Sequence, residues 1–287
     1  LSEGPRACGK TATGLQRCAS NVRLDSLPDP ATLVRLAPDQ ILDGPTPRLI
    51  DEWQLAPATW NLMRHQVDTR QAPGQFILTG SATPADDVTR HSGAGRVIRV
   101  RMRPMTLSEL GQSSRQVSLA SLMSGERVPS SQAALDFAGL VETICVGGWP
   151  GLRGQPVARA MAATRSYLDD LTRVDLPQVT GVRRDPERVR RLLRSVARLS
   201  ASPVKASKLA KDVGTDERPM KPETASEYLD ALARVLVIED QDAWAPELRS
   251  RARLQVSPKR HFVDPSLAVA ALGATPARLS RDLNTLG

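Results

Sequence analysis

The sequence predicts an α/β fold, a mainly parallel sheet with helices on both faces, followed by an all-helical region. Three observations point there. Short apolar runs alternate with helical spacing through the first third of the chain. The runs that read as buried strands end in polar residues. From about residue 107 onward the strand signals fade and amphipathic stretches take over.

The chain opens LSEGPRACGKTATG. Gly4 to Thr11 fit the P-loop pattern of a glycine, four residues, then glycine–lysine–threonine. That pattern normally joins a buried strand to a helix. Only Leu1, Ser2 and Glu3 precede it, and the first residue is not Met, so the central strand is expected to be short. Thr11 to Cys18 reads as the first helix. VRLD (22–25) reads as a short strand, and LIDE (49–52) and QFILTGS (75–81) as buried strands. RVIRVRM (96–102) alternates in period two and reads as another strand. PATWNLMRHQVD (57–68) sets Trp60, Met63 and Val67 at helical spacing.

Residues 113–132 are polar and read as a loop or weak helix. The stretch 135–154 reads as a helix ending at the turn Gly147, Gly148, Trp149, Pro150. A long amphipathic helix is expected over 157–176 and another over 185–201, with Asp185 as N-cap and Pro186 at the first helical position. A short helix over 204–214 closed by Gly214, then a longer one over 221–240 with a β-like end, describe a winged helix-turn-helix. One strand and one helix follow over 257–273. The expected divisions are a core over 1–112, a helical connector over 113–184, the winged helix over 185–245, and the start of a truncated domain over 246–287.

With 40% hydrophobic and 24% charged residues, the composition describes a soluble globular protein rather than a disordered one. No apolar run approaches the roughly 20 residues a bilayer span needs, and no signal peptide is visible. Cys8, Cys18 and Cys145 show no metal-ligand spacing, which suits a reducing cytoplasm. The net charge of +8 comes mostly from Arg. Its clusters are short and interleaved with Asp and Glu, which favours solvated helix faces over a nucleic-acid footprint.

A P-loop needs backbone N–H groups turned inward around phosphate oxygens. Gly4 and Gly9 supply that freedom, and Pro5, Arg6, Ala7 and Cys8 complete the loop. Lys10 is placed to reach the β- and γ-phosphates, and the Thr11 hydroxyl to ligate Mg²⁺. Asp51 and Glu52 end the LIDE strand in a Walker B arrangement. Asp51 would orient the Mg²⁺ shell and Glu52 would polarise the attacking water. Thr79 and Ser81 end the next predicted strand, where a hydroxyl can sense the γ-phosphate or hold the water. Arg96, after two glycines, is a candidate to stabilise the transferring phosphoryl group, in cis or across a subunit boundary. Cys8 reads as a tolerated small residue; no His or Asn is arranged to activate it.

These stretches resemble a family of uncharacterised bacterial and archaeal AAA-type ATP-binding proteins. That family combines a P-loop ATPase core, a winged helix and a C-terminal nuclease-like domain of unknown function. The resemblance rests on GPRACGKT (4–11), LIDEWQLAP (49–57), PGQFILTGSATP (73–84), HSGAGRVIRVRMRPMTLSEL (91–110), GGWPGL (147–152), YLDDLTRVDLP (167–177) and KRHFVDPSLAVAALG (259–273). It implies an AAA-like P-loop NTPase fold, ATP and Mg²⁺ as ligands, and ATPase roles for Lys10, Thr11, Asp51 and Glu52. Gln54 and Arg96 match family positions without an assigned role. Relative to the family pattern, both ends of the chain are missing.

Lys205, Lys208 and Lys211 recur on one helix near Lys221, as a phosphate-contacting face would require. The next helix, however, sets Glu223, Glu227 and Asp230 opposite its apolar face. That charge repels phosphate and favours a structural or protein-contact role. The expected partners are therefore ATP and an unidentified protein, with DNA less favoured, no membrane, and a homo-oligomer open. The leading expectation is slow Mg²⁺-dependent ATP hydrolysis coupled to conformational change. The alternatives are a nucleotide-regulated DNA- or protein-binding switch with incidental turnover, and an inactive truncated fragment.

Overall fold

The computed structural model describes residues 1–82, 93–127, 135–247, 249–251 and 255–286. His91 and Ser92 of the HSGAGR stretch, residues 83 and 84 at the end of PGQFILTGSATP, and 128–132 of the expected polar loop lie outside the described residues. The described chain forms two compact units. The first comprises Leu1–Arg103, Arg173–Arg184 and Ser226–Ile238; the second comprises Pro104–Thr172, Asp185–Ala225 and Glu239–Gly287. These divisions depart from the expected boundaries: part of the connector and much of the second winged-helix segment lie in the unit that holds the P-loop.

The first unit is built on a five-stranded sheet of β1 (Ser2–Glu3), β2 (Ser20–Arg23), β3 (Arg48–Asp51), β4 (Phe76–Gly80) and β5 (Val100–Arg101). The strand order is β2-β3-β4-β1-β5, and every pairing is parallel. The central position is filled by two residues. Ser2 and Glu3 pair with Thr79 and Gly80 on one side and with Val100 and Arg101 on the other. The Leu1 amino group donates to the Ile98 carbonyl at 2.8 Å, and Met102 N donates to Glu3 O at 2.7 Å. The Glu3 carboxylate is buried and meets the Arg99 guanidinium at 2.8 Å.

Helix α1 (Lys10–Leu15) follows the loop as expected but ends before Cys18, and α4 (Thr59–Arg70) appears where the spacing of Trp60, Met63 and Val67 predicts it. Gly14, a poor helix former, lies at a close approach: a Cβ there would sit 3.0 Å from a Leu49 methyl. Its lost propensity of about 1 kcal/mol lets α1 lie close against the sheet. Two helices were not anticipated, α2 (Pro30–Leu36) and α3 (Pro38–Leu42). Asp29 caps α2 by accepting from Thr32 N at 3.0 Å, and each helix starts with a proline. The expected strand over 96–102 is reduced to Val100–Arg101, the residues that pair with Ser2 and Glu3. The unit's core includes Leu24, Ile41, Ile50, Trp53, Trp60 and Leu78. Trp53 and Trp60 rings lie 5.5 Å apart.

The second unit is mainly helical. It contains α5 (Leu119–Met123), α6 (Phe137–Val146), α7 (Val157–Asp170), α9 (Pro186–Arg198) and α10 (Ala206–Val213). Between α7 and α9 the chain runs through a π-helical turn, Leu171–Asp175, and α8 (Leu176–Thr180), which belong largely to the first unit. Asp185 caps α9 through Glu187 N at 2.9 Å, with Pro186 following it as expected. Helix α11 (Pro222–Arg234) leads into β6 (Ile238–Gln241), which forms a two-stranded sheet with β7 (Lys259–Phe262). Helices α12 (Pro265–Leu272), α13 (Pro276–Leu279) and α14 (Leu283–Leu286) follow, and α12 packs on α6, α7 and α9.

Asp264 joins two distant stretches that carry the resemblance. It is buried and accepts from Gly148 N at 2.8 Å and from Ser266 N at 2.9 Å. The Trp149 indole in turn donates to Ser266 Oγ at 3.0 Å. Burial pushes the Asp264 carboxyl above its ordinary value, against the pull of its hydrogen bonds from Ser266 and Gly148. Gly147 has φ 76°, and a Cβ on it would sit 2.2 Å from Asp264 Oδ1. Gly147→Ala therefore strains the backbone and disrupts this network. We expect a loss of about 3 kcal/mol, read as a lower denaturation midpoint with an unchanged slope. An unaltered midpoint would refute this role for the turn.

Candidate functional site

All five strands are parallel, so the loops that follow them emerge at one edge of the sheet, where such folds bind ligands. The register aligns Arg23, Asp51, Thr79 and Ser2 across four neighbouring strands. Because β4 lies between β1 and β3, Thr79 is placed between the strand leading to the P-loop and the strand ending in Asp51. That order comes from the tertiary fold; chain order alone does not place β4 between β1 and β3.

The loop Gly4–Thr11 is shaped by two left-handed residues, Ala7 at φ 63° and Gly9 at φ 102°. Gly9 adopts that conformation without penalty, whereas Ala7 pays of order 1–3 kcal/mol. Gly4 has no room for a side chain: a Cβ would meet the Met102 carbonyl at 2.4 Å. Pro5 O accepts from Lys10 Nζ at 2.8 Å, so the lysine folds back across its own loop. Lys10 is 5% exposed. Burial pulls its ammonium below the usual lysine value, while Cys8, Glu52 and Asp51 oppose that pull. Cys8 packs inside the loop with its sulfur 4.0 Å from Lys10 Nζ, and burial raises its thiol pKa. Arg6 points to a different element and meets the Asp175 carboxylate at 2.5 Å.

Thr11 opens the first helix, and its hydroxyl donates to both Asp51 oxygens, at 3.0 and 2.9 Å. Asp51 is 1% exposed and also accepts from the Thr79 hydroxyl. Arg23 Nε lies 3.7 Å from its outer oxygen. Next to it, Glu52 leaves the strand at φ 55°, a left-handed conformation rare for a non-glycine residue. Its carboxylate accepts from Ser81 Oγ at 3.0 Å and from the Gln54 amide, which also donates to Ser81 Oγ at 3.3 Å. Gly80 admits this arrangement, since a Cβ there would lie 2.7 Å from Gln54 Oε1. The structure thus gathers Lys10, Thr11, Asp51, Glu52, Thr79 and Ser81 at one edge of the sheet. Arg96 is placed elsewhere: its Nε meets Asp68 of α4 at 2.5 Å.

The donor set suits a hard cation shared with phosphate. Thr11 and Asp51 present only oxygen, and Mg²⁺ is commonly held by one or two such groups together with substrate phosphates. No group of three or more His, Cys, Asp or Glu able to hold a metal by itself occurs among the described residues. Three residues at or beside the site carried no role in the sequence reading. Arg23 is legible only once β2 is known to lie beside β3. Gln54 is two residues from Glu52 and meets it only because Glu52 turns left-handed. Asp175 lies within YLDDLTRVDLP, a stretch that carries the resemblance, but nothing local ties it to the loop.

Residues 2–111, which hold the sheet, the loop and the hydroxyl–carboxylate pair, match the family model described as an AAA domain, which suggests a P-loop ATPase-type domain. Residues 138–278 match a domain of unknown function, DUF8612. Among curated proteins, the chain is 28% identical over 279 residues to the uncharacterized protein Rv2008c of Mycobacterium tuberculosis (strain ATCC 25618 / H37Rv), covering 95% of this chain and 56% of that one. The uncharacterized protein Mb2031c of Mycobacterium bovis (strain ATCC BAA-935 / AF2122/97) matches with the same identity and coverage. The chain therefore spans about half the length of these curated relatives. No helix among the described residues is long and apolar enough to cross a membrane.

Proposed function

We propose that this chain binds ATP with Mg²⁺ and hydrolyses it slowly, turnover being coupled to a change of conformation. The observation that carries this reading is the continuous polar network from Thr11 through Asp51 to Thr79, beside Glu52 held by Ser81 and Gln54. Lys10 leaves the Pro5 carbonyl to pair with the β- and γ-phosphates. Thr11 ligates the ion and Asp51 orients its water shell. Glu52, released from Ser81 and Gln54, accepts the proton of the attacking water. The ion supplies charge neutralisation on the phosphate oxygens. Thr79 keeps Asp51 in place and reports on the γ-phosphate. For Arg96, paired with Asp68 on an exposed face, action across a subunit boundary fits better than action in cis. Calorimetric titration with ATP tests the reading. We expect binding with Mg²⁺ and a weakening of about tenfold or more when EDTA removes it. Equal affinity with and without the ion would remove the metal role of Thr11 and Asp51.

The winged-helix reading of 185–245 is supported by the run α9, α10, α11, β6, and by the bridge between Pro203 and Lys259 of β7. Lys205, Lys208 and Lys211 are exposed, but so are Glu223, Glu227 and Asp230. We therefore hold to a protein-contact or structural role for this segment. A salt-dependent affinity for duplex DNA, lost when the three lysines are neutralised, would favour the DNA-binding switch instead.

A further inference from the structure

The ion pair between Arg6 and Asp175 joins the nucleotide loop to a segment far away in sequence. We propose that Asp175 is a positioning residue for that loop. By holding the Arg6 guanidinium it makes the shape of Gly4–Thr11 and the order of Leu171–Thr180 one coupled equilibrium. The inference rests on the nucleotide-binding reading of the loop.

The geometry gives the pair an anchor and an arm. Asp175 is 6% exposed, whereas the Arg6 side chain is 48% exposed, so the carboxylate is fixed and the loop residue reaches to it. Arg6 directly precedes Ala7, the strained left-handed residue of the loop. A tether at that point opposes relaxation of the strain and keeps the cradle open in the absence of ligand. A buried carboxylate is favoured by a cation beside it, and the loop supplies one through Arg6.

Asp175 ends the π-helical turn Leu171–Asp175, an irregularity frequent at functional positions. Leu171, which opens that turn, and Leu176, which follows it, are buried. The Val179 carbonyl accepts from Arg234 at 2.8 Å, and Arg184 lies over the Tyr228 ring. The segment 173–184 belongs to the first unit, while the chain on either side, up to Thr172 and from Asp185, belongs to the second. Occupancy of the loop is thereby linked to a segment covalently continuous with α7 and α9.

The sign of the effect separates this proposal from simple electrostatics. A carboxylate near a polyphosphate site repels the ligand through space, so deleting it should tighten binding. Positioning demands the opposite. The test is ATP–Mg²⁺ calorimetry on the wild type, Lys10→Ala, Asp175→Asn, Asp175→Glu, Arg6→Gln and the Arg6→Gln/Asp175→Asn double variant. Amide exchange of residues 171–180, with and without ATP–Mg²⁺, accompanies it. We expect each single removal of the pair to weaken binding about tenfold, the double variant to be no worse than either, and Asp175→Glu to recover most of the loss. ATP–Mg²⁺ should slow exchange across 171–180 in the wild type and not in Asp175→Asn.

Wild-type or tighter affinity in Asp175→Asn overturns the proposal, as does strict additivity in the double variant. A lowered melting temperature with unchanged affinity also overturns it. If Asp175→Asn fails to fold, as judged by circular dichroism, amide exchange in the half-exposed Arg6→Gln decides: ATP–Mg²⁺ should no longer slow exchange across 171–180, and a wild-type response there overturns the proposal. Wild-type binding that Lys10→Ala abolishes but Asp175→Asn leaves intact defeats this inference alone. Absence of binding by the wild type defeats the nucleotide reading and the inference with it.

Discussion

Lys10→Ala should abolish measurable ATP–Mg²⁺ binding, a loss of about 100-fold or more, while leaving the ligand-free protein as stable as the wild type or more so. The first effect follows from removing the one ammonium placed to reach the phosphates; losing a desolvated partner to a charged group costs about 2–5 kcal/mol. The second follows from the state of Lys10 without ligand. Its ammonium is buried, donates to the Pro5 carbonyl, and has its pKa lowered chiefly by desolvation. A charge held out of water with so little compensation costs folding free energy. Function and stability are opposed at this residue, as is common where a site must hold a group ready for a ligand. Calorimetry and a thermal melt on the same preparation measure both halves. Binding retained in Lys10→Ala would end the P-loop reading. A melting temperature several degrees lower would show instead that the lysine supports the fold.

Glu52→Gln should retain ATP–Mg²⁺ binding within about threefold and lose about 100-fold or more in phosphate release, the range expected for removing a general base. The substitution keeps side-chain length and the left-handed turn at residue 52, and it removes the carboxylate that accepts from Ser81 and Gln54. On the proposed reading this pairing would also slow hydrolysis, since each turnover would require Ser81 and Gln54 to release the Glu52 carboxylate. Phosphate release measured under saturating ATP, beside a binding titration, separates chemistry from affinity. Wild-type turnover in Glu52→Gln would assign the water to another group, and a parallel loss of binding would make Glu52 structural.

The two predictions differ in how much of their basis was legible in advance. Lys10, Thr11 and the glycines that flank the loop are adjacent in the chain, and short-range backbone requirements tie those residue types to that spacing. Asp51 and Glu52 were legible as the polar end of an apolar strand. Their separate fates were not: Asp51 stays in the strand, buried under two hydroxyls, whereas Glu52 turns out of it toward Gln54 and Ser81. The left-handed backbone at Glu52 has no sequence signature, because it depends on what packs around the strand end.

Several elements show the same division. The helix over 185–201 was readable to its cap because Asp185 and Pro186 act within one turn. The pair α2 and α3 was missed because each is short and proline-led, and their formation depends on burying Val34, Ile41 and Leu42 in the common core. Gly14 is a poor helix former, and its place in the first helix is explained by the close approach of Leu49. The period-two run at 96–102 reads as a full strand, but pairing, which alternation cannot reveal, marks Val100–Arg101 as strand among the described residues.

The sequence by itself determined the parallel α/β class, the glycine-rich loop, the acidic strand end and the helical character of the later chain. Each of these rests on interactions within a turn or two of the chain. Tertiary structure alone decided that β4 separates β1 from β3, that Arg96 pairs with Asp68, and that Asp175 comes to Arg6. Those contacts join residues distant along the chain, and only the burial of the intervening apolar surface selects which of them meet.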